Sequence, residues 1–575
     1  MVKTQKQNLL SAAFGKKTLA AFFSAVMTLS LPVYAQKAPD LKGDLTAPEE
    51  NSVDSADSQK NKGSEPEAEE NPLEIVNPDA PKPELQRTVQ IVTSEWDYDL
   101  NPYTASYNSE AQILTALYEG LFSYNPMTVE AVPALCSSYK LSRDKKRWTF
   151  TLREASFSNG EPITAYTIRD SWLRMLRTPD AQFASLIDCI TGAKDYRLGK
   201  IEADEVKIQA KDEKTLVVHL NAPTAELPQI LCQQSFAAVS ENLQNYSGAF
   251  VLKSWKNGVL ELEKNQNYRD KAHVYVPGIK VTQIDDEKEC TYLYNTGKAD
   301  WIDENVDLDT LLENDSIQLS AMFGTHYYFF KMNDNVWNKP EFRRALIEAV
   351  PYDKLRESSL IKAETLIYPL AGYPEVTGYS DSDIEDAADL LEDARKKYGI
   401  SSKQKLELKI AVGSADKTGM QQAELLKAEW EKLGIKVTIQ TTPSQRYVSS
   451  IPYWNADLFL YGWIGDYADP LAFLDLFRSD SSLNVGKYSN GEFDELLYQA
   501  SIADSTSERY KLLAKAEQLL LDDGEVIPVR HSVSLHIINP DQIGGWYTNA
   551  LDLHPFKYLY FKPYQYEVEN IVMLK

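Results

Sequence analysis

Residues 460–470 read Leu-Tyr-Gly-Trp-Ile-Gly-Asp-Tyr-Ala-Asp-Pro. Two carboxylates, Asp466 and Asp469, stand among aromatic rings and a proline directly after an apolar run at 458–461. A buried-strand pattern that stops at Gly462 sets Asp466 at a strand terminus, where α/β proteins hold ligands. A carboxylate there, walled by Trp463 and Tyr467, suits one cationic group. The same pattern fits an aspartate that caps a turn or pairs with a lysine. The rest of the chain decides between them.

Other chemistry has no motif to carry it. There is no GxSxG elbow, no HExxH and no P-loop. The six histidines are scattered; only His531 and His536 are close, and not at a spacing that shares a helix face. The four cysteines, Cys136, Cys189, Cys232 and Cys290, form no CxxC. In an oxidising compartment their even number allows three disulfide pairings, and free buried thiols fit as well. No catalytic residue, metal ligand or cofactor is expected.

The elements that must position Asp466 can be read from periodicity. Val89 and Ile91 open a strand pattern that reaches residues 100–102. Ile113, Leu114, Leu117 and Leu121 mark a helix over 111–121, and Ile168, Trp172, Met175 and Leu176 another over 164–176. Residues 148–152 and 216–220 alternate as strands, and 250–263 forms a hairpin about Asn257 and Gly258. Phe342, Ala345, Leu346 and Ala349 make a helix ended by Pro351. In the C-terminal half, Leu406, Leu408, Ile410 and Val412 alternate, 420–433 follows helical spacing up to Gly434, and Ile435, Val437 and Ile439 alternate again. That is a β-α-β unit, which requires a parallel sheet covered by helices.

The 575 residues suffice for two to four domains, and a formal net charge of −24 disfavours nucleic acid and anionic membranes as partners. The first 35 residues have the form of a secretory signal: Lys3, Lys6, Lys16 and Lys17, then an apolar stretch over 18–31, then Val33 and Ala35 before a cleavage point. No cysteine follows Ala35 to take a lipid. Export to the periplasm, with cleavage after Ala35, is the expectation. Residues 36–87 hold seven prolines, thirteen acids, six bases and no aromatic ring, which describes a disordered acidic spacer.

Several blocks, in order, resemble a known family. They are Leu-Asn-Pro at 100–102, Leu-Tyr-Glu-Gly-Leu-Phe at 117–122, Pro-Ala-Leu at 133–135, Trp-Thr-Phe-Thr-Leu-Arg at 148–153 and Phe-Ser-Asn-Gly-Glu-Pro-Ile-Thr at 157–164. Gly-Ala-Phe-Val-Leu at 248–252, Leu-Glu-Lys-Asn-Gln-Asn-Tyr at 262–268, residues 338–345 and the Trp-Ile-Gly-Asp block at 463–470 follow. The chain resembles the extracellular solute-binding proteins of ABC importers, large peptide and nickel class (family 5), most of all the periplasmic oligopeptide-binding proteins.

The resemblance implies a two-lobed α/β periplasmic-binding-protein fold (class II, large-cluster type) with a hinge and an extra third domain. Lobe I would be discontinuous, 88–124, 240–325 and 536–575; the extra domain would be 125–239, and lobe II 326–535. It implies a monomer, not an enzyme, that captures short peptides in the cleft and delivers them to an inner-membrane ABC permease. The peptide pairs through its backbone with the protein and sets its α-amino group on a carboxylate. Carried over by position, that carboxylate is Asp466 beside Trp463, with Gly462 and Ile464 as backbone partners and Ser106, Tyr107 and Asn108 as the facing segment. Three basic positions of the family are absent: Leu460 and Ile451 stand where arginines are expected, and no histidine lies near Gly419. Arg446, Arg478 and Lys487 are the candidate replacements. Rival readings are a binder of murein peptides, nickel chelates or haem, a ligand sensor, and, outside the family, a secreted hydrolase.

Overall fold

The computed structural model describes residues 83–563 apart from 225, 466, 468 and 504, and without the side chain of 445. The signal and all but the end of the acidic spacer lie outside the described residues. The described residues begin at Pro83, five residues before Thr88. The Gln86 side chain exchanges hydrogen bonds with the Phe561 backbone, tying the two ends of the described chain together.

Strand β1 (Val89–Thr93) buries Val89, Ile91 and Val92 and ends well short of residue 100. Helix α1 (Asn108–Leu117) stops four residues before Leu121, a shorter helix than the periodicity predicts. The reason is local: Tyr118 turns extended, and at Gly120 a Cβ would lie 2.9 Å from the Leu231 carbonyl oxygen, so the chain must pass close there. A four-stranded antiparallel sheet follows, built from β2 (Cys136–Leu141), β3 (Arg147–Leu152), β4 (Ile208–Ala210) and β5 (Thr215–His219) in the order β2-β3-β5-β4. It packs on α2 (Ala165–Arg177), whose Thr164 side chain caps the helix by accepting from the Thr167 N–H.

The large sheet has eleven strands. The hairpin β6 (Phe250–Lys256) and β7 (Val259–Lys264) turns at Asn257 and Gly258, both at positive φ, as the sequence predicts. Then come β8 (Gly278–Gln283), β9 (Trp301–Asp303) and the long β10 (Ile317–Phe330), helix α3 (Pro340–Glu348), and the short β11 (Ile361–Lys362). The β-α-β unit forms as read: β12 (Leu406–Gly413) pairs in parallel with β13 (Ile435–Thr442), and α4 (Lys417–Lys432) covers them with Ala423, Leu426 and Trp430 buried. Gly434 ends the helix at φ 77°. Strand β14 (Leu458–Ile464), helix α5 (Thr506–Asp522) and strand β15 (Val526–Ile538) complete the set.

The path through the large sheet is β13-β12-β14-β10-β15-β9-β1-β8-β7-β6, with β11 on the side of β15. The long pair β10 and β15 therefore joins the two ends of the sheet. Their ladder loses register twice, between Ala321 and Thr325 and between His326 and Tyr327. All four cysteines are free, so none of the allowed disulfide pairings is made. Among the described residues, no helix is long and apolar enough to cross a membrane.

Candidate functional site

Strand β14 is an interior strand, held between β12 and β10. It runs two residues past Gly462, to Ile464, so the strand does not stop where the apolar run stops. Its pairing with β10 sets Gly462 opposite His326, Trp463 opposite Thr325 and Ile464 opposite Gly324. Gly462 is exposed although its neighbours Tyr461 and Trp463 are buried. A Cβ at Gly462 would lie 3.0 Å from the His326 ring, so this stretch of backbone is left bare.

Trp463 is 6% exposed. Its indole N–H donates to the Ala472 carbonyl at 2.9 Å, and its ring stacks on Tyr461 and meets Phe183. It is a fixed wall. Asp466 lies outside the described residues. The chain on either side of it is anchored: the Gly465 N–H donates to the Phe323 carbonyl, and Tyr467 is buried. The second carboxylate of the motif, Asp469, is committed to an ion pair with Arg509, which also reaches Glu226.

The facing segment sits at the start of α1. The buried carboxylate of Glu110 accepts the N–H groups of Ser106 at 2.8 Å and Tyr107 at 3.0 Å, and that of Asp99. This holds the helix entry rigid. The Tyr107 ring meets Trp96 edge-on, and burial pushes its hydroxyl up to about 12. The Asn108 side chain donates to the Asp552 carbonyl. Among the described residues, no hydrogen bond, ion pair or ring contact joins 106–108 to 462–464. Gly462, Trp463 and Ile464 thus share one strand, and Ser106, Tyr107 and Asn108 share one helix entry.

The absent basic positions have clear occupants. Leu460 and Gly419 are neighbours in space: a Cβ at Gly419 would lie 2.7 Å from a Leu460 methyl carbon. Ile451 is fully buried, and its carbonyl accepts from Lys331, which also donates to the carbonyls of Pro452 and Trp454. Of the candidate replacements, Arg478 is neutralised by Asp475 and Asp480, while Arg446 and Lys487 lie on the exposed surface. Sequence reading missed His326 and Arg530. Arg530 lies opposite His326 on β15 and donates to its Nδ1 at 3.2 Å. The pairing joins strands about two hundred residues apart, which no local pattern reveals.

A second cluster, also unread in the sequence, is formed by His536, Asp552 and His554, grouped closely enough to hold a metal ion. Its members satisfy one another: both imidazole Nε2 atoms meet one Asp552 oxygen, at 2.8 and 3.3 Å, and His536 Nδ1 lies 3.2 Å from the Asp303 carboxylate and 3.1 Å from the Trp301 indole nitrogen. Burial alone would depress His536, but Asp552 outweighs it and holds the ring above its ordinary value. The arrangement is that of a buried hydrogen-bonded triad anchoring the C-terminal segment to β15 and β9.

Comparison with known proteins places the fold and the family. Residues 130–484 match the family described as bacterial extracellular solute-binding proteins, family 5, middle. An oligopeptide-binding protein of Bacillus subtilis is 26% identical over 476 residues, covering 77% of this chain and 87% of the relative. A solved structure of the Escherichia coli murein tripeptide-binding protein superposes with a TM-score of 0.73 at 24% identity, covering 84% of this chain and 99% of the other. The unliganded open form of that protein gives 0.57 at 25% identity, covering 83% and 98%. The fold is thus the two-lobed, hinged α/β architecture with an extra third domain expected from the sequence. This chain belongs to the bacterial extracellular solute-binding proteins, family 5.

Proposed function

We propose that this protein captures short peptides and delivers them to an ABC importer. The observation that carries the reading is Gly462: one exposed backbone position on the part of β14 beyond Phe459, where the pairing with β12 has ended, open on that edge to a ligand strand and flanked by the fixed Trp463 wall. The peptide-binding relatives in the same family support it. Asp466, four residues on, receives the α-amino group, and the backbone of Gly462 and Ile464 pairs with the peptide. Ser106, Tyr107 and Asn108 supply the facing segment. The lobes are 88–124 with 240–325 and 536–575, and 326–535, with 125–239 as the extra domain. The protein works as a periplasmic monomer, freed from its leader after Ala35, and performs no catalysis.

An ammonium–carboxylate pair in a cleft shut from water counts for more than in bulk solvent. Removing the carboxylate strands the ammonium, at a cost of about 3–5 kcal/mol. Titration calorimetry of Asp466→Ala with tri-alanine and N-acetyl-tri-alanine tests this. The variant is expected to lose at least a hundredfold in affinity for tri-alanine, and wild type to bind the acetylated peptide no better than the variant binds tri-alanine. Equal affinity of wild type for free and acetylated peptides would overturn the amino anchor.

A further inference from the structure

In an antiparallel ladder, residues directly opposite each other project from the same face, and so do residues two apart on one strand. Gly462 of β14 faces His326 of β10, and His326 faces Arg530 of β15. The three therefore form one row on one face, spanning about 10 Å over two strand spacings. Leu460 shares that face, and it touches Gly419 at the start of α4. The row carrying Arg530 thus adjoins Leu460 and Gly419, two of the three positions where basic residues are absent.

Arg530 is half-buried, and its partnership is unusual. Arg269, Arg197, Arg478 and Arg509 each sit on a carboxylate. Arg356 is shared between the carbonyls of Tyr379 and Pro528. Arg530 has one hydrogen bond, to a neutral ring nitrogen, and no carboxylate within ion-pair distance among the described residues. A guanidinium carries five N–H donors. Arg530 is of intermediate burial, so part of its side chain still meets solvent. Burial disfavours the charged guanidinium even with Asp416 and Glu304 attracting it from beyond ion-pair distance, and a ligand anion in direct contact would offset that cost.

We infer that Arg530, steadied by His326, is the specificity-determining cation that receives a carboxylate of the bound ligand. The planar fork matches the two carboxylate oxygens. In the proposed ligand class the carboxylate comes from the peptide terminus or from an acidic side chain. The inference rests on the peptide-binding reading above, and the two fail differently.

The test is calorimetry on wild type, Arg530→Gln and Arg530→Lys with three probes: tri-alanine, its C-terminal amide, and Ala-Ala-Glu amide. Wild type is expected to bind tri-alanine at least tenfold tighter than the amide. Arg530→Gln is expected to abolish that preference while binding the amide as wild type does, and Arg530→Lys to keep part of it. A side-chain carboxylate as the source shows instead as tight, Arg530-dependent binding of Ala-Ala-Glu amide. Equal losses for acid and amide in Arg530→Gln would overturn the assignment and leave peptide capture standing. So would a wild type indifferent to the carboxylate. Absence of binding to all three probes would overturn both. Arg530→Lys, which keeps the charge, guards against a fold defect: if it and Arg530→Gln weaken every probe alike, the residue is structural and the inference fails.

Discussion

At Gly462 a hydrogen atom stands where any other residue would set a carbon 3.0 Å from the His326 ring. A branched side chain would both push the imidazole aside and cover the bare backbone. Gly462→Val is therefore expected to weaken tri-alanine binding more than tenfold while leaving unliganded stability within about 1 kcal/mol, since the position faces outward. Calorimetry and urea denaturation separate the two effects. Glu517 on α5 makes a different prediction. Its carboxylate accepts from the Ile367 N–H at 2.9 Å and the Tyr373 hydroxyl at 3.0 Å, yet burial raises its pKa from 4.5 to about 7. Its folded value exceeds the unfolded one, so the folded state holds the proton more tightly. Stability is then greatest below about pH 4.5, declines as pH rises toward 7, and levels off above it. Glu517→Gln removes that decline. Relative to wild type it should gain about 3 kcal/mol between pH 4 and pH 8; identical pH profiles in urea would refute this.

Elements differ in how openly the sequence announces them. The β12-α4-β13 unit is legible because its apolar residues alternate in two stretches and follow helical spacing between them, with Gly434 at the join. The β6–β7 hairpin is legible because Asn257 and Gly258 tolerate positive φ. The end of α1 is not, because Gly120 is required by the distant Leu231 carbonyl. Nor is the row of Gly462, His326 and Arg530, since pairing in a sheet is set by long-range register. The same holds for Glu119, just after α1. It binds Arg269 at 2.7 Å and Lys557 at 3.3 Å, joining three separate stretches of chain. Burial would raise its pKa, but the two cations hold it at about 2. Because that value lies below the unfolded one, its stabilisation is present above about pH 4.5 and lost as pH falls toward 2. Glu119→Gln leaves two buried cations without a counter-charge and should destabilise the protein by about 3–5 kcal/mol in urea at pH 7.

For the whole molecule, the contacts between residues 180–226 and residues 453–509 set the present shape. The Ser185 hydroxyl meets Ser481 at 3.1 Å and Ser482 at 2.9 Å, Lys194 pairs with Asp480, and Arg509 links Asp469 to Glu226 at 3.5 Å. Lys194 and Asp480 are both exposed, and such pairs contribute at most about 1 kcal/mol. Arg509 is well shielded and bridges two carboxylates. Lys194→Ala should therefore change the tri-alanine Kd less than threefold, and Arg509→Ala more than tenfold. In small-angle scattering Arg509→Ala should also show a larger radius of gyration than wild type. The doubly shifted ladder between β10 and β15 bears on this. Where two ribbons already meet out of step, few bonds need break for one to swivel against the other, so a pivot at 321–327 would cost little. His326 lies at that shifted register beside Arg530, and a guest clasped there would bear on any swivel made at it.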